Sequence, residues 1–375
     1  MSGGLAGQTV AFVGTLTRQT PYFPTANGPG LAVFRFDESS GRLHPLHTVD
    51  GIDNPTYLTI DAAGRHLYAV SEVFGWHEGV ATAYRIDRTD GSLAYINKQP
   101  TRGSISAYAA IDRSGRWLLV ANYRMGPDGV RPPQAATVFP IEADGGLGPA
   151  VASVGHTGRG PNPERQEGPH PHSVLTSPDG RHALVADLGI DRIMVYRFDA
   201  GRGTLTPAER PFVSFAPGSG PRHLAFHPAG RFLYVTDELA SSVTALAWSA
   251  ADGGLQPLQT LGALPEGWQG VNLCSDLQIS ADGGFLYAAN RGHDSIASMA
   301  IDAASGRLTR LGHHPTMGKT PRQFTLDPSG RFLLIANQDA DRVVVLARDG
   351  KSGLLSDSGE RAAIGTPMCV KLLRL

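Results

Sequence analysis

The chain has 375 residues, 41% hydrophobic and 18% charged, with a formal net charge of −1. A near-neutral protein exerts no long-range pull on nucleic acid or on an anionic membrane, so neither is expected as a partner. Its 46 glycines and 27 prolines fall mostly between short apolar runs, the punctuation of an all-β chain.

The first apolar stretch, Thr9–Val13, is too short to cross a membrane, and no basic segment precedes it, since the first Arg is Arg18. A soluble cytoplasmic protein is expected. An alternating strand, Ala32–Phe36, follows and ends at a turn with Gly41. The next segment, from Pro55, leads into Asp61-Ala-Ala-Gly-Arg and the apolar Leu67-Tyr68. Another alternating strand, Ala81–Ile86, precedes Gly91. This order then recurs along the chain.

Turn glycines of the first kind stand at 64, 115, 180, 230, 283 and 330, spaced by 51, 65, 50, 53 and 47 residues. Those of the second kind, in Gly-x-Leu, stand at 41, 91, 145, 203, 253, 306 and 353. Each repeat therefore holds four short strands. Strand A precedes the Gly-Arg turn, B follows it, C alternates, and D follows Gly-x-Leu. Four strands per repeat of about fifty residues is the blade period of a propeller. The spacing predicts an all-β, seven-bladed β-propeller of four antiparallel strands per blade, with residues 1–375 as a single domain.

Seven turns of one kind against six of the other leave one blade without its own A–B hairpin. The C-terminal Thr366-Pro-Met-Cys-Val-Lys-Leu-Leu resembles the strands that begin at Pro55, Pro221 and Pro321. It is expected to pair with Thr9–Leu16 and close the ring. Cys274 and Cys369 fall on innermost strands and read as buried thiols rather than a disulfide.

Residues equally distant from a tight turn lie opposite one another in a hairpin. Counting eight from each turn glycine sets Arg222 against Glu238, Arg322 against Gln338, Ser275 against Arg291 and His172 against Leu188. The same count sets Thr56 against Glu72 and Ala107 against Tyr123. All lie at one face, together with the long loops Gly155–Pro169 and Leu264–Asn272. Loops gathered on one face of a rigid scaffold mark its binding face. The expected ring is His170, His172, Arg222, Glu238, Arg291, His293, Arg322 and Gln338, with Lys319 nearby. Three converging arginines point to an anionic ligand, because the guanidinium fork matches carboxylate or phosphate. Inter-blade salt bridging is the structural alternative for each of them.

At these residues the sequence resembles the propeller-type lactonases. The carriers are Gly168-Pro-His-Pro-His-Ser-Val, Pro217-Gly-Ser-Gly-Pro-Arg-His-Leu, Asn290-Arg-Gly-His-Asp-Ser-Ile and Gly318-Lys-Thr-Pro-Arg-Gln-Phe. The family includes bacterial 6-phosphogluconolactonase and fungal 3-carboxy-cis,cis-muconate lactonizing enzyme. The resemblance implies a small anionic lactone as substrate, 6-phosphogluconolactone first, with lactonization of a carboxymuconate as the alternative, and neither metal nor other cofactor. It implies His172 (or His170), Arg222, Glu238 and Arg291 as catalytic residues. His170, His293, Lys319, Arg322 and Gln338 complete the expected substrate contacts. Asp237 stands where the family pattern suggests Asn, and Phe74-Gly-Trp-His-Glu and Met125-Gly-Pro-Asp also depart from it.

Other chemistries have weaker support. His170 and His172 share a side of an extended segment, but no Cys or carboxylate cluster at ligand spacing accompanies them. No Gly-rich loop opens a helix to cradle a nucleotide, and no Gly-x-Ser-x-Gly elbow is present. A non-catalytic propeller that binds a partner on the same face is the alternative from another class. His66, His182 and His227, at the far ends of the hairpins, are expected at the surface or in a second layer. The sequence leaves the oligomeric state open.

Overall fold

A computed structural model describes residues 5–23, 25–124 and 134–375; Met125–Asp128 lies outside the described residues. Seven four-stranded antiparallel sheets are arranged as the blades of a propeller. The innermost strands of blades 2 to 7 are Pro55–Ile60, Ser104–Ile111, Pro171–Thr176, Pro221–Phe226, Leu273–Ile279 and Pro321–Leu326. Blade 1 takes its inner strand from the other end of the chain. Pro367–Arg374 pairs with Thr9–Thr15, and Leu31–Phe36 and Leu43–Val49 complete that sheet. The closure expected from the turn count is thus observed.

Both series of turn glycines have positive φ, from 62° at Gly64 to 86° at Gly145, which a side chain disfavours. Between the blades the packing is apolar, with Leu67, Tyr68, Leu118, Leu233, Tyr234, Leu286 and Tyr287 fully buried. Three of these tyrosines also join blades by hydrogen bonds. Their hydroxyls donate to the C–D turn of the following blade, from Tyr68 to Gly145 O (3.0 Å), Tyr234 to Gly306 O (2.9 Å) and Tyr287 to Gly353 O (2.9 Å). A large ring thereby fills apolar space while its one polar atom is satisfied.

Histidines share this inter-blade role. His182 and His227 are buried rather than superficial, the former against Trp248 and the latter with Nε2 3.0 Å from Gly283 O of the next blade. His66 is half-buried and held by Asp61. Cys274 and Cys369 are buried free thiols on innermost strands.

The hairpin register differs from equal counting in an informative way. Pro221 pairs with Asp237 and Leu224 with Val235, so Arg222 and His223 together face Thr236. The same slip passes over Thr56, Ala107, His172, Arg322 and Met368, and sets Ser275 and Asp276 against Ala289. Each innermost strand thus carries a bulge near its start. An extra residue bends the strand and re-aims its side chain. Symmetrical counting cannot see an inserted residue, which is why equal counting misplaces these registers.

Candidate active site

The bulges open onto a cavity of about 280 Å³ at one end of the channel. Its centre is Glu238, fully buried just past the end of strand Phe232–Asp237. One carboxylate oxygen receives Arg165 Nη2 at 2.5 Å; the other lies 2.7 Å from Arg222 Nε and 2.8 Å from Arg291 Nη2. Arg222 meets the carboxylate off the hydrogen-bond line, while its Nη1 donates to Ser275 O at 2.6 Å. Arg291 is further tied by its guanidinium to the carbonyls of Leu273 (3.3 Å) and Cys274 (3.1 Å).

Three guanidiniums on one carboxylate set its charge state. Burial alone would raise the Glu238 pKa, but Arg291, Arg165 and Arg222 outweigh it and hold it well below the usual carboxylate range. Burial and the neighbouring Arg291 lower Arg222 to about 9, with Glu238 opposing, so it stays charged at neutral pH. His172 is pushed far below its ordinary value, first by burial and then by Arg222 and His223. It is a neutral imidazole at the cavity floor, with Nδ1 buried and unpartnered among the described residues.

Local structure explains how these groups are held. Gln166 in the loop 155–169 is fully buried and donates to Leu188 O (2.8 Å) and Asp191 Oδ1 (2.9 Å). Asn162 Oδ1 receives the backbone N–H of Glu164 and Arg165, which turns the loop so that Arg165 reaches Glu238. His170 has both ring nitrogens occupied. Nδ1 lies 3.0 Å from Tyr123 O and Nε2 3.0 Å from Glu167, while the ring stacks on Tyr123 at 4.5 Å. It braces the wall.

Of the residues expected at the site, His170, His172, Glu238, Arg291 and Arg322 line the cavity. Arg222 lies directly beneath, in contact with Glu238. His293, Lys319 and Gln338 are not among the residues that line it. His293 bonds to Ser295 Oγ (2.6 Å) and packs edge-on to Trp268, which fastens the loop 264–272 instead. Lys319 is exposed in the D–A connection. Gln338 opens the 3₁₀ turn Gln338–Ala340, and its amide donates to Asp339.

Other lining residues lay outside the expected ring. Arg165 belongs to the long loop already placed at this face. Glu72 and Tyr123 stood at the mouth by hairpin counting but were not taken into the ring. Glu72 lies 3.3 Å from Arg322, whose guanidinium also sits 4.9 Å from the Phe23 ring centre. Tyr22, Phe23 and Phe74 form an aromatic rim, with Tyr22 and Phe74 edge to face at 6.2 Å. Nothing periodic marks that rim in the sequence, because it comes from loops.

Comparison with known proteins agrees with this architecture. The chain is 33% identical over 85% of its length to a 6-phosphogluconolactonase of Bacillus subtilis, covering 85% of that protein. It is 35% identical to a 6-phosphogluconolactonase of Formosa agariphila, covering 85% of this chain and 86% of the relative. The structure of a periplasmic gluconolactonase from Pseudomonas aeruginosa superposes with a TM-score of 0.88 at 36% identity, covering 97% of this chain and 99% of the other. The profile described as "Lactonase, 7-bladed beta-propeller" matches residues 10–372, and the chain belongs to that family.

Proposed function

We propose that the protein hydrolyses a sugar-derived anionic lactone, 6-phosphogluconolactone first among candidates, at the Glu238 cavity. The observation that carries this reading is a buried His172 at the cavity that holds a carboxylate gripped by three guanidiniums. A cavity of about 280 Å³ suits a small molecule. The relatives named 6-phosphogluconolactonase add weight.

In this reading His172 takes a proton from water as the water oxygen bonds to the lactone carbonyl carbon. The same imidazolium then returns the proton to the ring oxygen as the C–O bond breaks. Glu238 is held too firmly ionised to accept a proton at neutral pH, and its charge instead stabilises the imidazolium and positions the arginines. Arg165 and Arg291, at the cavity wall, are placed to receive the negative charge that develops on the carbonyl oxygen. Arg322 has long contacts of 3.3 and 3.4 Å to Glu72 and lies over the Phe23 ring, which lets its guanidinium turn to a phosphate.

One observation favours a second substrate. Among the described lining residues, Arg165, Arg291 and Arg322 face Glu72, Glu164, Glu167 and Glu238, so the wall carries no surplus of positive charge. An unphosphorylated gluconolactone fits that balance. The decisive assay measures ring opening of both lactones after treatment with a chelator. Faster turnover of the phosphorylated lactone supports the first reading, and preference for the neutral one supports the second. Turnover of a carboxymuconate alone moves the assignment to lactone formation, and inertness toward all three favours a binding module.

A further inference from the structure

Below the cavity the bulge of blade 5 sets a second histidine behind the first. His223, buried next to Arg222, has Nδ1 2.8 Å from Asp276 Oδ1 on the neighbouring innermost strand. Asp276 Oδ2 lies 3.4 Å from both Phe324 N and Gln278 Nε2. Burial would raise this carboxyl, yet the His223 hydrogen bond, with Lys371 and Arg222, keeps it below its ordinary value. An ionised carboxylate only accepts, so the hydrogen of His223 is on Nδ1 and its Nε2 offers a lone pair. Burial and Arg222 keep the ring neutral, with a pKa of about 4, against the pull of Asp276.

His223 Nε2 is buried and has no partner among the described residues, and the same holds for His172 Nδ1. The two rings meet edge to face with centroids 5.2 Å apart. That separation accommodates a nitrogen-to-nitrogen hydrogen bond of about 3.0 Å between imidazole edges. As the rings stand no hydrogen bond joins these two nitrogens, and the terminal torsion of an imidazole is soft enough for a ring to turn. Tyr108 and Tyr57 close the other sides of His223, with ring centres at 5.0 and 5.9 Å. Two buried nitrogens on adjacent rings, each otherwise unsatisfied, are costly apart and become stable when one donates to the other.

We propose that Asp276 and His223 are positioning residues that hold the proton of His172 on Nδ1 and so turn the lone pair of its Nε2 toward the cavity. In the opposite tautomer the cavity would face an N–H, which cannot take a proton from water. The chain runs from the Asp276 carboxylate to His223 Nδ1–H, then from His172 Nδ1–H to His223 Nε2. When His172 accepts the water proton on Nε2, the new positive charge is shared along this chain toward Asp276 and faced by Glu238. Arg222 and Arg322 oppose it, which keeps the imidazolium short-lived. The catalytic value of the pair rests on the lactone reading above, whereas its tautomer assignment does not.

Nitrogen-15 NMR of histidine-labelled protein, with two-bond proton correlations and His172→Gln for assignment, reads the tautomer directly. The expected result is His172 as the Nδ1–H form between pH 6 and 8 in the wild type. In Asp276→Asn or His223→Gln the Nε2–H form should appear, with kcat for lactone opening lower by roughly 10–100-fold and KM unchanged. An Nε2–H His172 in the wild type overturns the proposal, as does a folded Asp276→Asn with unchanged tautomer and kcat. If the wild type opens no lactone but shows the Nδ1–H form, the positioning pair stands and the lactone reading falls.

Discussion

Glu238 and Asp237 are adjacent buried carboxyl groups in opposite electrical situations. Three guanidiniums keep Glu238 ionised, whereas burial raises Asp237 to about 7 despite donors from Ser242 and Thr244 to Oδ2. Asp237 Oδ1 has no partner among the described residues. In three other blades the same position is Asn122, Asn290 or Asn337, whose amide donates to a carbonyl of the D–A connection. A carboxyl whose folded pKa exceeds its unfolded value of about 3.8 binds more protons when folded, so its contribution is lost as pH rises from about 4 to 7. Asp237→Asn should therefore raise Tm at pH 8 and do so less at pH 5. Equal gains at both pH values would show that Asp237 is already ionised in the fold. Removing the neighbouring charge acts in the other direction. Glu238→Gln leaves three guanidiniums without their counter-charge, at a cost of about 3–5 kcal/mol, visible in denaturant unfolding along with a lower kcat. Arg322→Ala should chiefly raise KM for the phosphorylated lactone, by roughly 10–100-fold for about 1.5–3 kcal/mol of charge-assisted bonding. A fall in kcat at constant KM would place Arg322 at the reacting carbonyl instead.

At the scale of elements, the A–B hairpin with its bulge is what builds the site. Its turn was legible because a glycine of positive φ recurs at each copy, and its strands because apolar residues cluster between turns. The bulge was not, since an extra residue leaves no mark in composition or period. Arg222 and Glu238 are nonetheless in contact, because a displacement of two positions still leaves the carboxylate within reach of the long arginine side chain. Loops behaved differently. Arg165, Tyr22, Phe23 and Phe74 reach the cavity from irregular segments, whose path depends on individual hydrogen bonds such as those of Gln166. His293, Lys319 and Gln338 failed for the complementary reason, since nearness in sequence to an innermost strand does not fix where a side chain turns. Between elements, the tyrosine hydroxyls give a clean check. Tyr234→Phe removes the bond to Gly306 O while keeping the packing, and should lower stability by about 1 kcal/mol. No change in unfolding midpoint would mean that apolar contact alone joins those blades.

For the whole molecule, closure by Pro367–Arg374 ties the two ends of the chain into one sheet. This strand also supplies the inner face of blade 1, with Met368, Cys369 and Val370 fully buried. Deleting residues 366–375 exposes an unpaired strand edge and opens the ring. Soluble folded protein should be lost, and a truncated chain with an unchanged Tm would contradict the closure as a source of stability. A closed ring matters for function because each blade brings one bulge to the same mouth, so His172, Arg222 and Arg322 meet although they lie far apart in sequence. The most direct test is the kcat of His172→Ala for the lactone that the wild type opens fastest, measured against the spontaneous rate. Loss of a general base predicts a fall of about 10²–10⁴-fold with folding preserved. A folded His172→Ala with undiminished kcat would contradict the account.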